Sequence, residues 1–139
     1  MTESWEPRQL PAITPETERY WAAAAEGRLL VRECGDCGLV YHYPRALCPD
    51  CLSDDVSWVE AEGTATVYTY TVSPQIAGWP EEALPAITAH VELSEGPRMV
   101  SCLVGCEPAD VDVGMDVTVE FVASEERENV AIPVFRPVE

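Results

Sequence analysis

The chain is predicted to be mainly β, with a short N-terminal helix, a four-cysteine ribbon and a small five-stranded barrel. Three observations point there. Two Cys-x-x-Cys pairs, Cys34/Cys37 and Cys48/Cys51, stand ten residues apart. Five short segments of alternating apolar and polar residues follow between Thr64 and Phe135. Helical spacing is confined to a stretch ahead of the cysteines. With 139 residues, 47% of them hydrophobic, the chain suits one compact unit or two small modules. The expected organisation is an arm and helix over 1–28, the ribbon over 29–58 and the barrel over 59–139.

Residues 1–13 read as an irregular arm whose large apolar anchors are Trp5, Leu10 and Ile13. Thr14-Pro15-Glu16 has the chemistry of a helix start: a capping hydroxyl, proline at the first helical position and a carboxylate at the positive end of the dipole. Thr17, Tyr20, Trp21 and Ala24 then recur on one face, and Gly27 suits the position just past the helix end. That aromatic face must be covered, either by its own domain or by a partner protein.

Leu29-Leu30-Val31 reads as a strand entering the first knuckle. The stretch from Cys34 to Cys51 is CGDCGLVYHYPRALCPDC. Gly38 follows the first pair, where the turn favours a positive φ, and Pro49 lies inside the second, where a fixed φ suits a tight turn. Four such thiols predict a closed tetrahedral metal site, with Cys34, Cys37, Cys48 and Cys51 as ligands; two disulfides or four unrelated thiols are the plainer readings. Zinc is the expected ion, in a structural role. The strings CGDCG and CPDC also resemble rubredoxin's knuckles, which leaves iron as the alternative. Between the knuckles LVYHYPR alternates as a ribbon strand. His42 lies within it, but four thiolates already complete a closed site. Arg45 is a candidate contact for a phosphate or carboxylate, or simply a solvated charge.

From Val56 the texture is β. VSWVEA alternates, and Glu62-Gly63 marks a bend. In TATVYTYTVS, Tyr68, Tyr70 and Val72 are expected on one face, with Val67, Thr69 and Thr71 on the other. Residues 74–85 hold three prolines and a glycine, so they form a loop rather than a central strand. Ile76 and Trp79 are its apolar anchors, there for recognition or folded back over the barrel mouth. AITAHVEL, Met99 to Val104, Val117 to Val122 and Val130 to Phe135 complete five strands. A small Greek-key barrel follows, with the OB-fold as the leading candidate. Cys102 and Cys106 read as a buried thiol and a loop thiol.

The formal charge is −17, and all eight basic residues are arginine. This balance speaks against nucleic-acid binding, which needs clustered cations. A salt-rich cytoplasm and a GC-rich genome each account for it. There is no run of 18 apolar residues, so no membrane span is expected, and the N-terminus lacks the basic and apolar regions of a signal peptide. Metal-poised thiols favour a reducing compartment, the cytoplasm. No catalytic constellation is evident. His90 has no serine or cysteine nucleophile beside it in the pattern, and Glu81-Glu82 and Glu125-Glu126 read as solvated charges.

Taken in order, the aromatic helix, the ribbon with Tyr43-Pro44-Arg45, the WVEAEGTATVYTYTV junction, the VELSEGPRMVS hairpin, VGMDVTVEF and the closing PVFRP resemble the "domain of unknown function 35" family. The resemblance runs from about Thr14 to Pro137. It implies a rubredoxin-like zinc ribbon joined to an OB-fold, and association with acyl-CoA enzymes: thiolases, the hydroxymethylglutaryl-CoA synthase complex, lipid-transfer-protein-like thiolases and aldolases, and MaoC-type hydratases. On this footing the chain is a non-catalytic subunit of a hetero-oligomer, whose partner carries the catalytic residues while this chain stabilises it and helps to bind the acyl-CoA. Tyr20, Trp21, Arg45, Ile76 and Trp79 are the candidate acyl-CoA or partner contacts. The second reading is a stand-alone acyl-CoA binding module.

Overall fold

The structure, a computed structural model, describes residues 10–125, 127 and 130–138. Trp5 and Glu126, singled out above, lie outside these residues. Among them are one α-helix, α1 (Glu18–Ala25), and eight strands: β1 (Leu30–Cys34), β2 (Val40–Tyr41), β3 (Val56–Glu60), β4 (Thr64–Ser73), β5 (Ala86–Leu93), β6 (Arg98–Leu103), β7 (Asp116–Ala123) and β8 (Ala131–Pro137). Two sheets result. One is the three-stranded ribbon β2-β1-β3, and the other is a closed barrel in the order β4-β5-β6-β8-β7. The five expected barrel strands are all present. No described helix is long and apolar enough to cross a membrane.

The helix starts later than its chemistry suggests. The Thr17 amide donates to the Thr14 carbonyl at 3.0 Å and closes a turn ahead of the regular helix. Thr14 Oγ1 faces the Thr17 hydroxyl at 3.1 Å instead of a backbone amide. The Glu16 carboxylate reaches sideways and accepts from the Ala46 amide at 2.8 Å, which ties the helix start to the ribbon. The helix end matches expectation. Gly27 takes φ +83, its amide donates to Ala24 O at 3.0 Å, and the Arg28 amide donates to Ala23 O at 2.9 Å. These paired bonds form the Schellman stop that glycine permits without strain.

The aromatic face turns inward. Tyr20, Ala23 and Ala24 are buried, and α1 packs against β8, β1 and β7. Tyr20 and Leu29 and Val31 of the ribbon share one apolar cluster with Val67, Val91, Leu93, Val117 and Phe135 of the barrel. Helix, ribbon and barrel therefore fold around a common core. At the far side Leu10 of the arm packs beside Val122 and Val134. The ribbon sheet also reaches further than residue 58, since β3 pairs with β1 through Val31↔Val59 and Leu30↔Glu60.

Two local expectations need correction. The run LVYHYPR yields only the two-residue strand β2. Beyond it the Tyr41 hydroxyl donates to the Arg45 carbonyl at 2.8 Å, and the Arg45 amide donates to Tyr43 O at 2.8 Å, so the chain closes into a loop through Pro44, which has no amide for a ladder. In β4 the strict alternation fails at Tyr68. Val67 pairs with Val91 and Thr69 with His90, leaving Tyr68 as an extra residue in a β-bulge. The bulge shifts the phase. Val67 is buried, Tyr68 and Thr69 are both exposed, and Tyr70 turns back against the core with its hydroxyl 3.2 Å from the Val111 carbonyl. Tyr68 and Tyr70 thus do not share a face. The displaced Tyr68 ring is covered by the Arg98 guanidinium at 3.8 Å.

The passage from ribbon to barrel is built on Gly63. Its φ is +87, and a Cβ there would stand 2.6 Å from Val119 Cγ1. The Val119 amide donates to the Gly63 carbonyl at 2.8 Å, so β7 cannot withdraw cheaply. Gly63→Ala is expected to destabilise the fold by about 2–4 kcal/mol, combining left-handed strain with overpacking. Gly96→Ala is the control, because Gly96 also has a positive φ (+113) but nothing within 4 Å of its would-be Cβ. Equal losses for the two variants in denaturant melts would rule out the packing half of this account.

Candidate metal centre

Each knuckle is a backbone turn that aims amides at sulfur. In the first, the Asp36 and Cys37 amides both lie 3.4 Å from Cys34 Sγ. In the second, the Asp50 amide lies 3.4 Å from Cys48 Sγ. The turns are closed alike, with Gly38 N–H to Cys34 O at 3.0 Å and Leu52 N–H to Cys48 O at 2.9 Å. The two knuckles are held together by the Ser53 hydroxyl donating to the Asp36 carboxylate and by the Gly35 amide donating to Asp55 O at 2.7 Å.

The result is that the four sulfurs converge. Cys34, Cys37, Cys48 and Cys51 place their Sγ atoms within 4.8 Å of one another. Cys34–Cys51 and Cys37–Cys48 are each separated by 3.6 Å. A tetrahedron with metal–sulfur bonds of about 2.3 Å has edges of about 3.8 Å, so the tetrad has the size such an ion needs. The Cys37 amide, then that of Asp36, draws the Cys34 thiol down to about 7, while burial and the neighbouring sulfurs push Cys37 and Cys51 up, as crowded thiols share protons when no cation lies between them. Four thiolates close the site, which leaves no coordination position for substrate.

Around the tetrad little apolar surface is buried. Cys34 and Cys48 are enclosed, but Tyr43, Leu47 and Leu52 are exposed. Leu52 also has a φ of +65, a region that costs a leucine about 1–2 kcal/mol. His42 lies outside the sulfur tetrad. It is buried between the Tyr20 ring, 5.5 Å away edge-on, and the Tyr43 ring at 4.9 Å, and its Nδ1 has no hydrogen-bond partner. Burial pushes its pKa down to about 4. Arg32 is buried on β1, stacked on Trp58 at 4.1 Å, and its guanidinium donates to the Val56 carbonyl at 3.1 Å. Sequence patterning hinted at neither placement.

The other candidate residues are scattered. Tyr20 is 5% exposed and has almost no surface left for a partner, while Trp21, edge-on to it at 4.9 Å, is half-buried. Arg45 is exposed on the inter-knuckle loop. Ile76 and Trp79 are half-buried, with the Trp79 amide donating to Ile76 O at 3.1 Å. Trp79 lines a recess of about 240 Å³ with Leu84, Ile87, Leu103 and Cys106, against the barrel. Cys102 and Cys106 line the same recess, both half-buried, and burial pushes the Cys106 thiol up, with Asp110 and Glu107 adding to the rise.

A sulfur-pinned ribbon fused through one core to a closed five-stranded barrel defines a zinc-ribbon OB-fold protein. Residues 21–57 match the family described as the rubredoxin-like zinc ribbon domain of ChsH2, and residues 58–122 match its C-terminal OB-fold domain. The chain belongs to the DUF35 family. A DUF35 domain-containing scaffold protein of Methanocaldococcus jannaschii is 34% identical over 105 residues, 74% of each chain. A probable enoyl-CoA hydratase alpha subunit of Thermomonospora curvata is 37% identical over 130 residues, which is 94% of this chain but 40% of that protein. The chain thus spans well under half of that relative. Among solved structures, a chain of the Ltp2-ChsH2(DUF35) aldolase superposes with a TM-score of 0.77 at 37% identity, covering 91% of this chain and 98% of that one.

Two outcomes test the centre. Cys48→Ser is expected to lose the bound ion and unfold the ribbon, because metal binding on the order of 10 kcal/mol is folding free energy in such modules. Full metal content by elemental analysis with an unchanged melting temperature would show that these sulfurs are not the ligands. For His42, the folded value of about 4 lies below the ordinary 6.5, so the unfolded chain takes up the proton first. Its neutral form supports stability fully above about pH 6.5, and that support drains away between there and about pH 4, a change of roughly 3 kcal/mol. His42→Phe should flatten the acid side of the stability profile relative to the wild type; parallel profiles would contradict the assignment.

Proposed function

We propose that this chain is a non-catalytic subunit of a thiolase-like enzyme, of the thiolase, aldolase or acyl-CoA synthase kind, acting on acyl-CoA thioesters. It stabilises the catalytic partner and helps to bind the acyl-CoA. The observation that carries this reading is the likeness to the Ltp2-ChsH2(DUF35) aldolase chain, which extends over 98% of that chain at 37% identity. Relatives described as a hydratase alpha subunit and as a scaffold protein agree with a subunit role. The ion is zinc in a structural role, with iron as the alternative that four thiolates also accept. Trp21, Arg45, Ile76 and Trp79 are the contact residues proposed for partner or acyl-CoA; Tyr20 contributes by seating Trp21.

Co-expression with a thiolase-like aldolase subunit of the Ltp2 kind is expected to give a stable hetero-oligomer by native mass spectrometry, and thioester turnover by the complex that neither chain shows alone. Unaided turnover by the purified chain would overturn the assignment. Calorimetric binding of a CoA thioester to the isolated chain, with no hetero-oligomer formed, would favour the stand-alone module.

A further inference from the structure

The two metal knuckles are built alike and differ at one telling position. Gly38 in the first and Leu52 in the second each follow the last cysteine, each return an amide to the first cysteine's carbonyl, and each sit at positive φ, +81 and +65. Glycine adopts that conformation freely and leucine does not. A large side chain held against backbone preference is normally one that packs inside the fold. Leu52 does not pack: it is 71% exposed, the highest of any large hydrophobic among the described residues. Leu47 (49%) and Tyr43 (54%) are exposed on the inter-knuckle loop that leads into Cys48. The Cys48 amide donates to Ser53 O at 2.9 Å, so the backbone at 47–48 is held beside that at 52–53. The second knuckle therefore presents apolar side chains to solvent on a loop that the metal holds rigid.

We propose that this knuckle tip is a docking surface, and that its occupant is a partner protein bearing an apolar socket ringed by lysine and arginine. The charge of the ribbon selects that occupant. Glu33, Asp36, Asp50, Asp54 and Asp55 are all exposed around the knuckles, and Arg45 is the single basic residue between 33 and 57. Four thiolates on a divalent ion leave a further net negative charge at the centre. A second copy would bring the same acidic tip on a chain of charge −17, so self-pairing is opposed. The inference deepens the subunit reading and rests on it: the knuckle is where the catalytic subunit would be gripped.

The test titrates the wild type, Leu52→Gly and Leu47→Ser against a thiolase-like aldolase subunit of the Ltp2 kind, at roughly 50 and 500 mM salt. Val100→Ser, on the outer barrel face, serves as the control. Leu52→Gly is expected to weaken binding at least ~10-fold. Leu47→Ser should weaken it less and Val100→Ser not at all, and wild-type affinity should fall with salt. Metal content and melting temperature of Leu52→Gly should equal or exceed the wild type's, because glycine relieves the backbone. A lower melting temperature would mean that Leu52 serves its own chain, and would overturn the proposal. Equal binding by wild type and Leu52→Gly would overturn the docking site and leave the subunit reading standing. No binding by the wild type would overturn both. Salt-independent binding would remove the basic rim. Self-association of the wild type that Leu52→Gly abolishes would make the occupant a second copy, against the proposal.

Discussion

Four sulfur atoms brought within bonding distance of one ion are the constraint on which the N-terminal half depends. The inter-knuckle loop leaves Tyr43 and Leu47 in water, and Leu52 just beyond it is exposed as well, so side-chain burial at the knuckle tips is small beside that at Tyr41, Cys34 and Cys48. Amide-to-sulfur contacts and the Ser53–Asp36 bond shape the turns, but each is small beside a coordination bond. A bound ion would supply at the knuckles the cohesion that Leu29, Val31 and Tyr41 supply at the base of the ribbon.

The ribbon is nonetheless not a separate bead. Leu29 and Val31 on β1 and Tyr20 on α1 enter the same apolar cluster as the barrel strands, and β3 delivers the chain directly to Gly63 and β4. Rigidity at the metal is thereby transmitted to the barrel through packing. A partner that took hold of the ribbon would set the orientation of the barrel as well.

The parts of this arrangement legible in the sequence are those governed by local rules. Cysteine spacing located the sulfur tetrad, period-two patterning located the barrel strands, and Gly27 marked the helix end because only a residue tolerant of positive φ fits a Schellman stop. The parts that were not legible depend on partners distant in sequence. The bulge at Tyr68 is decided by the register with Val91 and His90, which one strand's pattern cannot reveal. The inward turn of Tyr20 and the burial of His42 follow from α1 lying against β1 of the ribbon and β8 and β7 of the barrel, and a short helix carries no mark of which body will cover it. At Leu52 the pattern misleads, since a branched hydrophobic residue hides a backbone conformation that glycine would have announced.

The barrel closes unevenly. Most neighbouring strands are stitched along several rungs, but β6 meets β8 in a single parallel bridge, Leu103↔Phe135, helped by the Val104 amide on Phe135 O at 2.8 Å and the Ser101 hydroxyl on Pro133 O at 2.9 Å. Phe135 is wholly enclosed there and acts as the plug behind a thin seam. The cylinder has its fewest ladder rungs along that line, so shutting it there falls to the packing of one aromatic ring rather than to a run of backbone bonds.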